Sequence, residues 1–158
     1  MTGAGARLVA IELDEQSIAR THAFIEAERA VAIDDILADN SFLPAGRESG
    51  AFRLHLAVRD GRLVFDVRDG EDRPVAAHHL AMRPFAGVVK DYFLICESYF
   101  AAVRTAGAAQ IEAVDMGRRG VHDEGATLLR DRLAGKIALD HKTARRLFTL
   151  LCALRWKG

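Results

Sequence analysis

The segment FRLHLAVRDGRLVFDVRDG, residues 52 to 70, constrains the fold more than any other part of the chain. Two runs of alternating apolar and polar residues meet at Asp60-Gly61, a dipeptide suited to a two-residue type I′ turn because both central residues need positive φ. A turn of that length fixes the register of the strands it joins. Counting outward from it sets Val58 opposite Leu63, Leu56 opposite Phe65 and Leu54 opposite Val67 on the core face. The other face receives His55 opposite Asp66, Ala57 opposite Val64 and Arg53 opposite Arg68. PVAAHHLAM, 74 to 82, returns as the third strand of an antiparallel meander. If Ala76, Leu80 and Met82 face the core, His79 joins the outer face, and a core-facing His78 needs a hydrogen-bond partner. The sequence leaves the register of this strand open.

The remaining elements follow from periodicity. RLVAIELD, 7 to 14, is short, β-branched and alternating, a strand with Val9, Ile11 and Leu13 toward the core. THAFIEAERAVAIDDILADN, 21 to 40, is rich in helix formers, with Thr21 as cap and Asn40 and SFLPAG as stop. Pro44, Gly46 and Gly50 mark a loop. RPFAGVVKDYFLICESYFAAVRTAG, 83 to 107, carries Phe85, Val88, Val89, Tyr92, Ile95, Cys96, Tyr99 and Val103 at helical spacing, with Leu94 and Ala101 opposite. A helix apolar all round is expected to be the central one. Residues 108 to 135 read as one or two helices ending near Gly135. The closing helix has Asp140 as N-cap and Leu147, Phe148, Leu151 and Leu154 as one stripe. One strand, one helix, three strands and three helices in that order predict α+β: a meander of three strands (about 52–82) plus an N-terminal strand, packed against about four helices. One domain over 1–158 is expected, since half of the 158 residues are apolar, enough for a substantial core.

Charge narrows the classes. Lys plus Arg and Asp plus Glu number 22 each, so no global field draws the chain to nucleic acid or an anionic membrane. The longest apolar run, LFTLLCAL, falls far short of the roughly 20 residues that span a bilayer. MTGAGARLVAIELDEQ has acids where a signal peptide needs an apolar stretch, and the expected location is the cytoplasm. Cys96 and Cys152 lie in apolar helical segments away from any CxxC or zinc-type spacing, as reduced core thiols. No cofactor is expected.

Several blocks together carry a family resemblance: ERAVAIDDIL (28–37), NSF (40–42), FRLHL (52–56), RLVFDVRD (62–69), VKDYFLICESY (89–99), QIEAVDMGRRGVHDEG (110–125) and TARRLFTLLCAL (143–154). Over nearly its whole length the chain resembles the bacterial uncharacterised protein family 0262. That resemblance implies no activity, cofactor or catalytic residue, so the chemistry is argued from the residues.

DMGRRGVHDEG, 115 to 125, holds three glycines, and each interior glycine of a helix costs about 0.5 to 1 kcal/mol against alanine. As a continuous helix it sets Ile111, Val114, Arg118, Val121 and Leu128 on one stripe. Arg119 then lies between Asp115 and Asp123, and Gly117, Val121 and Gly125 form a flat strip for a close-packed neighbour. Arg118 on that stripe points inward and needs a carboxylate partner. As a broken helix, the segment aims backbone N–H groups and Arg118 and Arg119 at one point, an anion site with His122 and Glu124 as acid and base. Lys90 is a further ligand-binding candidate beside it. The pattern matches neither a Walker A loop nor a GxGxxG fingerprint, and the continuous helix is the favoured reading. On the sheet, His55, Asp66 and His79 could hold a divalent metal with open positions, although no metal is expected. Arg145, Arg146, Arg155, Trp156 and Lys157 surround the last apolar stripe, more simply a docked helix with a basic rim than an RNA surface.

No nucleophile with its base is recognisable. The reading is a non-catalytic interaction or regulatory module that self-associates through its helical layer or binds a protein partner. The rival is an anion- or phosphate-binding protein or enzyme built on Arg118, Arg119, His122 and Glu124. An RNA-associated protein comes third.

Overall fold

A computed structural model describes residues 5–18, 23–105 and 107–154. Strand β1 (Ala6–Leu13) leads to helix α1 (Ala23–Ala38), then β2 (Phe42–Pro44), β3 (Gly50–Arg59), β4 (Arg62–Asp69) and β5 (Pro74–Ala81). A short 3₁₀ turn, Arg83–Phe85, opens α2 (Ala86–Thr105), followed by α3 (Ala108–Leu133), β6 (Ile137–Leu139) and α4 (His141–Leu154). The architecture is α+β, and the expected cap Thr21 lies outside the described residues.

The main sheet has the order β1-β3-β4-β5, with β1 parallel to β3 and the other neighbours antiparallel. Asp60 and Gly61 take φ of 53° and 71°, and the hairpin has the register counted from its turn, including His55↔Asp66 and Leu56↔Phe65. In β5, Ala76, His78 and Leu80 pair with the core-facing Val67, Phe65 and Leu63, so His79 lies outside. β1 departs from the expected alternation. Its register shifts between Leu8 and Ala10, which makes Val9 the extra residue of a bulge; Ala6, Leu8 and Ile11 are buried and Val9 is 41% exposed.

A second, two-stranded sheet pairs β2 with β6, placing Phe42 against Leu139 and Pro44 against Ile137. The expectation of a plain loop at Pro44 is corrected here. Phe42 also meets Phe52 of β3, their ring centroids 6.3 Å apart. Asn40 ties this clasp to the main sheet. Its Oδ1 accepts the Leu8 N–H at 2.7 Å, while its Nδ2 donates to Leu8 O at 3.0 Å and Ile36 O at 2.9 Å. One side chain thus serves both backbone groups of a fully buried residue and ends α1. Asn40→Ala leaves those groups unpaired, at a cost of about 2 kcal/mol. Scanning calorimetry should find the melting temperature roughly 4 to 8 °C lower.

The central helix is α4, not the expected α2. Asp140 Oδ1 accepts the Thr143 N–H at 2.8 Å, the N-cap read from the sequence. Nine of the fourteen α4 residues are buried, Leu147, Phe148, Leu151 and Leu154 among them. Helices α1 and α3 pack on α4, and α2 packs mainly on α3. The buried Arg29 of α1 donates from Nε and Nη2 to the Ala153 carbonyl at 3.3 and 3.2 Å, satisfying the end of α4. One contiguous core joins the inner sheet face to these helices.

Candidate functional site

Helix α3 runs unbroken through residues 115–125. Two of its glycines have a packing reason. A Cβ on Gly117 would lie 3.2 Å from Ile95 Cδ1 of α2, and one on Gly125 would lie 2.5 Å from the Phe148 ring of α4. Gly120 has nothing within 4 Å of that position. With the helix intact, the four residues of the broken-helix site cannot converge, because positions one or two apart on a helix face different ways. Arg119 and Glu124 are exposed, Arg118 and His122 half-buried on the side facing α2.

The charges are locally compensated. Arg118 Nη2 donates to Asp115 Oδ1 at 2.6 Å, and its guanidinium sits 4.3 Å above the Tyr99 ring centroid. Asp115 also takes Arg119, at 3.0 Å. Asp123 does not complete the expected ladder around Arg119. It pairs instead with His141 at 3.0 Å and Arg145 at 3.7 Å on α4. Lys90 of α2 is exposed, and helical spacing turns it to the side of α2 opposite Tyr92 and Cys96.

What the structure does bring together is a half-buried group from three helices: Tyr92 and Cys96 of α2, Arg118 and His122 of α3, and Arg145 of α4. The Tyr92 and His122 rings lie 5.1 Å apart and tilted by 33°. Tyr92 also meets Phe148 edge-on at 6.0 Å. Burial, helped by the guanidiniums of Arg145 and Arg118, pulls His122 down to about 4, so its imidazole is neutral near pH 7. Burial pushes the Tyr92 hydroxyl and the Cys96 thiol up, and the fully buried Cys152 thiol well up, so neither cysteine is an activated thiolate. His122 Nε2 and Arg145 Nε are buried without a hydrogen-bond partner among the described residues. Arg145, read from the sequence as part of a basic rim and not as a member of this site, shares a helix stripe with Phe148 and Cys152, and that spacing was the available signal.

Two clefts of about 520 Å³ each open elsewhere. One lies between the β2–β6 clasp and the end of α3, with Arg47, Arg130, Lys136 and Asp131 in its walls. The other lies on the outer sheet face over Ala57 and Val64, and His55, Asp66 and His79 line it. Neither is lined by Arg118, Arg119, His122 or Glu124. In the second, His55 is held by Glu12 at 3.2 Å and Asp72 at 3.0 Å, while Asp66 turns to Arg68 at 3.1 Å. Among the described residues no three His, Cys, Asp or Glu side chains are placed to hold a metal. Burial lowers His78, helped by Lys136 and His79. No helix among the described residues is long and apolar enough to cross a membrane.

Fold and cluster together define a small α+β protein whose helical layer carries one partly buried polar cluster. The chain belongs to the uncharacterised protein family UPF0262, whose model matches residues 5–157. A UPF0262 protein of Azorhizobium caulinodans is 57% identical over 154 residues, covering 96% of this chain and 95% of that protein. One from Rhodopseudomonas palustris strain HaA2 is 54% identical over 152 residues, covering 96% and 93%. One from Xanthobacter autotrophicus is 54% identical over 154 residues, covering 97% and 94%. No solved structure matches the chain.

Proposed function

We propose that this protein is a non-catalytic cytoplasmic module that acts by protein–protein contact, self-association included, through the antiparallel hairpin of α2 and α3. The observation that carries this reading is the position of the hairpin relative to the core. From Val103 to Glu124 none of the described side chains is buried, and the buried residues of α3 begin only at Gly125. A 26-residue helix is about 39 Å long, and about half of α3, the part before Val121, which packs against the core, lies beyond it. Leu94, Val103 and Met116 on this hairpin are 52%, 51% and 65% exposed. Scattered exposed apolar residues are ordinary, but three large ones on one projecting hairpin mark a contact surface. Sedimentation velocity of the whole protein and of the Leu94→Asp, Val103→Asp, Met116→Asp triple variant tests this. The parent should associate as concentration rises, and the variant should remain monomeric with an unchanged circular dichroism spectrum. A variant that associates as the parent does would remove the hairpin from the contact.

A second reading, binding of a small phosphate or carboxylate compound, is favoured by two buried atoms that make no hydrogen bond among the described residues, His122 Nε2 and Arg145 Nε, the latter 3.7 Å from Asp123. It moves the rival site from Arg118, Arg119, His122 and Glu124 to His122, Arg145 and Arg118. On this reading millimolar inorganic phosphate raises the melting temperature of the parent protein but not that of Arg145→Met. Equal responses in the two proteins would end it.

A further inference from the structure

We propose that the exposed stripe of α2 is the seam of a two-fold homodimer, in which α2 lies antiparallel on the α2 of a second copy; this rests on the self-association reading above. The inner side of α2 is already occupied. Ile95 meets Gly117 of α3, and Tyr99 lies under Arg118. The outer side carries Asp91, Leu94, Glu97, Ser98, Ala101 and Arg104, all exposed. Their spacing of three and four residues is that of a helix–helix seam. Among the described residues neither Asp91 nor Arg104 has an ion-pair partner within the chain, although many of the other acids do.

The order of the stripe singles out the partner. It reads acid, leucine, polar pair, alanine, base. A two-fold axis passing between Glu97 and Ser98 places Leu94 against Ala101 of the second copy, a large side chain on a small one. The same axis places Asp91 against Arg104 of the second copy, and symmetry makes every contact twice. Parallel packing would instead set Asp91 on Asp91 and Arg104 on Arg104, which like-charge repulsion disfavours. The antiparallel direction is therefore the better matched: only Glu97, beside the axis, meets a like charge, whereas in the parallel direction Asp91, Glu97 and Arg104 all do. A single helix pair belongs to the small interface classes, so the dimer should dissociate at roughly micromolar concentration.

Charge exchange tests the register. Asp91→Arg puts arginine against Arg104 at both contacts, and Arg104→Glu puts glutamate against Asp91 at both. Each single variant should dissociate at a concentration at least about tenfold higher than the parent. Mixing the two single variants should restore association, because the heterodimer has opposite charges at both contacts; native mass spectrometry reads its intermediate mass. The double variant Asp91→Arg, Arg104→Glu should also recover. All these positions are exposed, so circular dichroism should show a retained fold. A parent that stays monomeric at every concentration overturns both the seam and self-association. A parent that dimerises while each of the three single variants, Asp91→Arg, Arg104→Glu and Leu94→Asp, dimerises equally well overturns the seam and leaves self-association standing.

Discussion

Gly125→Ala should lower the melting temperature by roughly 6 to 12 °C, the shift that about 3 kcal/mol produces in a protein of this size. The added methyl would sit 2.5 Å from three atoms of the Phe148 ring, closer than any real contact allows. Phe148 is fully buried, with Tyr92 edge-on at 6.0 Å, so the ring has little room to withdraw. Interiors are packed as densely as organic crystals, so α3 and α4 must separate instead. On the same helix Gly120→Ala should act the other way. Its Cβ meets nothing, and the gain in helix propensity is about 0.5 to 1 kcal/mol. Thermal unfolding of both variants, and of Gly125→Ala combined with Phe148→Leu, checks the cause. The smaller leucine should take up part of the clash, making the double variant more stable than the sum of the singles. A Gly125→Ala protein that melts with its parent would mean that the two helices pack less closely than described.

Acidification from pH 6.5 to about 4 should remove on the order of 1 to 3 kcal/mol of stability, most of it through His122. The imidazole is held neutral in the folded state, first by burial and then by Arg145 and Arg118, and it accepts a proton only near pH 4. In the unfolded chain it does so near 6.5. Between those values the unfolded state holds the extra proton, so stability is complete above 6.5 and declines as the pH falls toward 4. The side chain is only half-buried, which keeps the effect below the full difference between the two values. His78, also lowered by burial, adds a smaller loss of the same sign. The carboxylates of Asp14, Asp39, Asp69 and Asp123 are held below 3.8, so their contributions disappear in a lower interval. Urea unfolding at pH 7 and pH 4.5 measures the decline. His122→Phe keeps an aromatic ring against Tyr92 and should flatten it; an equal decline in parent and variant would assign the loss elsewhere.

The meander was legible because Asp60-Gly61 couples turn chemistry to register, and every facing pair from Arg53↔Arg68 to Val58↔Leu63 follows from that one dipeptide. The Asp140 cap and the α4 stripe were equally local signals. Val9 was misplaced because a bulge depends on the partner strand, which periodicity cannot see. The β2–β6 pairing escaped for a related reason: three-residue strands, one containing Pro44, pair across more than ninety residues with no local pattern. α2 was taken for the central helix because its apolar content was read without knowing which neighbours it has. In the candidate site, the i, i+4 relation of Arg118 and His122 was readable. Arg145 arrives by tertiary packing, and Glu124 and Arg119 separate as soon as the helix is continuous.

That α4 is the central helix has a consequence for the order in which the chain can fold. The sheet strands and α1 through α3 all precede it, yet the side chains that close the core, Leu147, Phe148, Leu150 and Leu151, are made after them. At about 5 to 20 residues per second, a ribosome takes several seconds to pass from β5 to α4. During that interval Leu54, Leu56, Phe65 and Val67 of the meander lack the α4 side chains that share their core. Synonymous codon changes that slow translation between residues 82 and 141 should therefore lengthen the time for which the nascent core is incomplete.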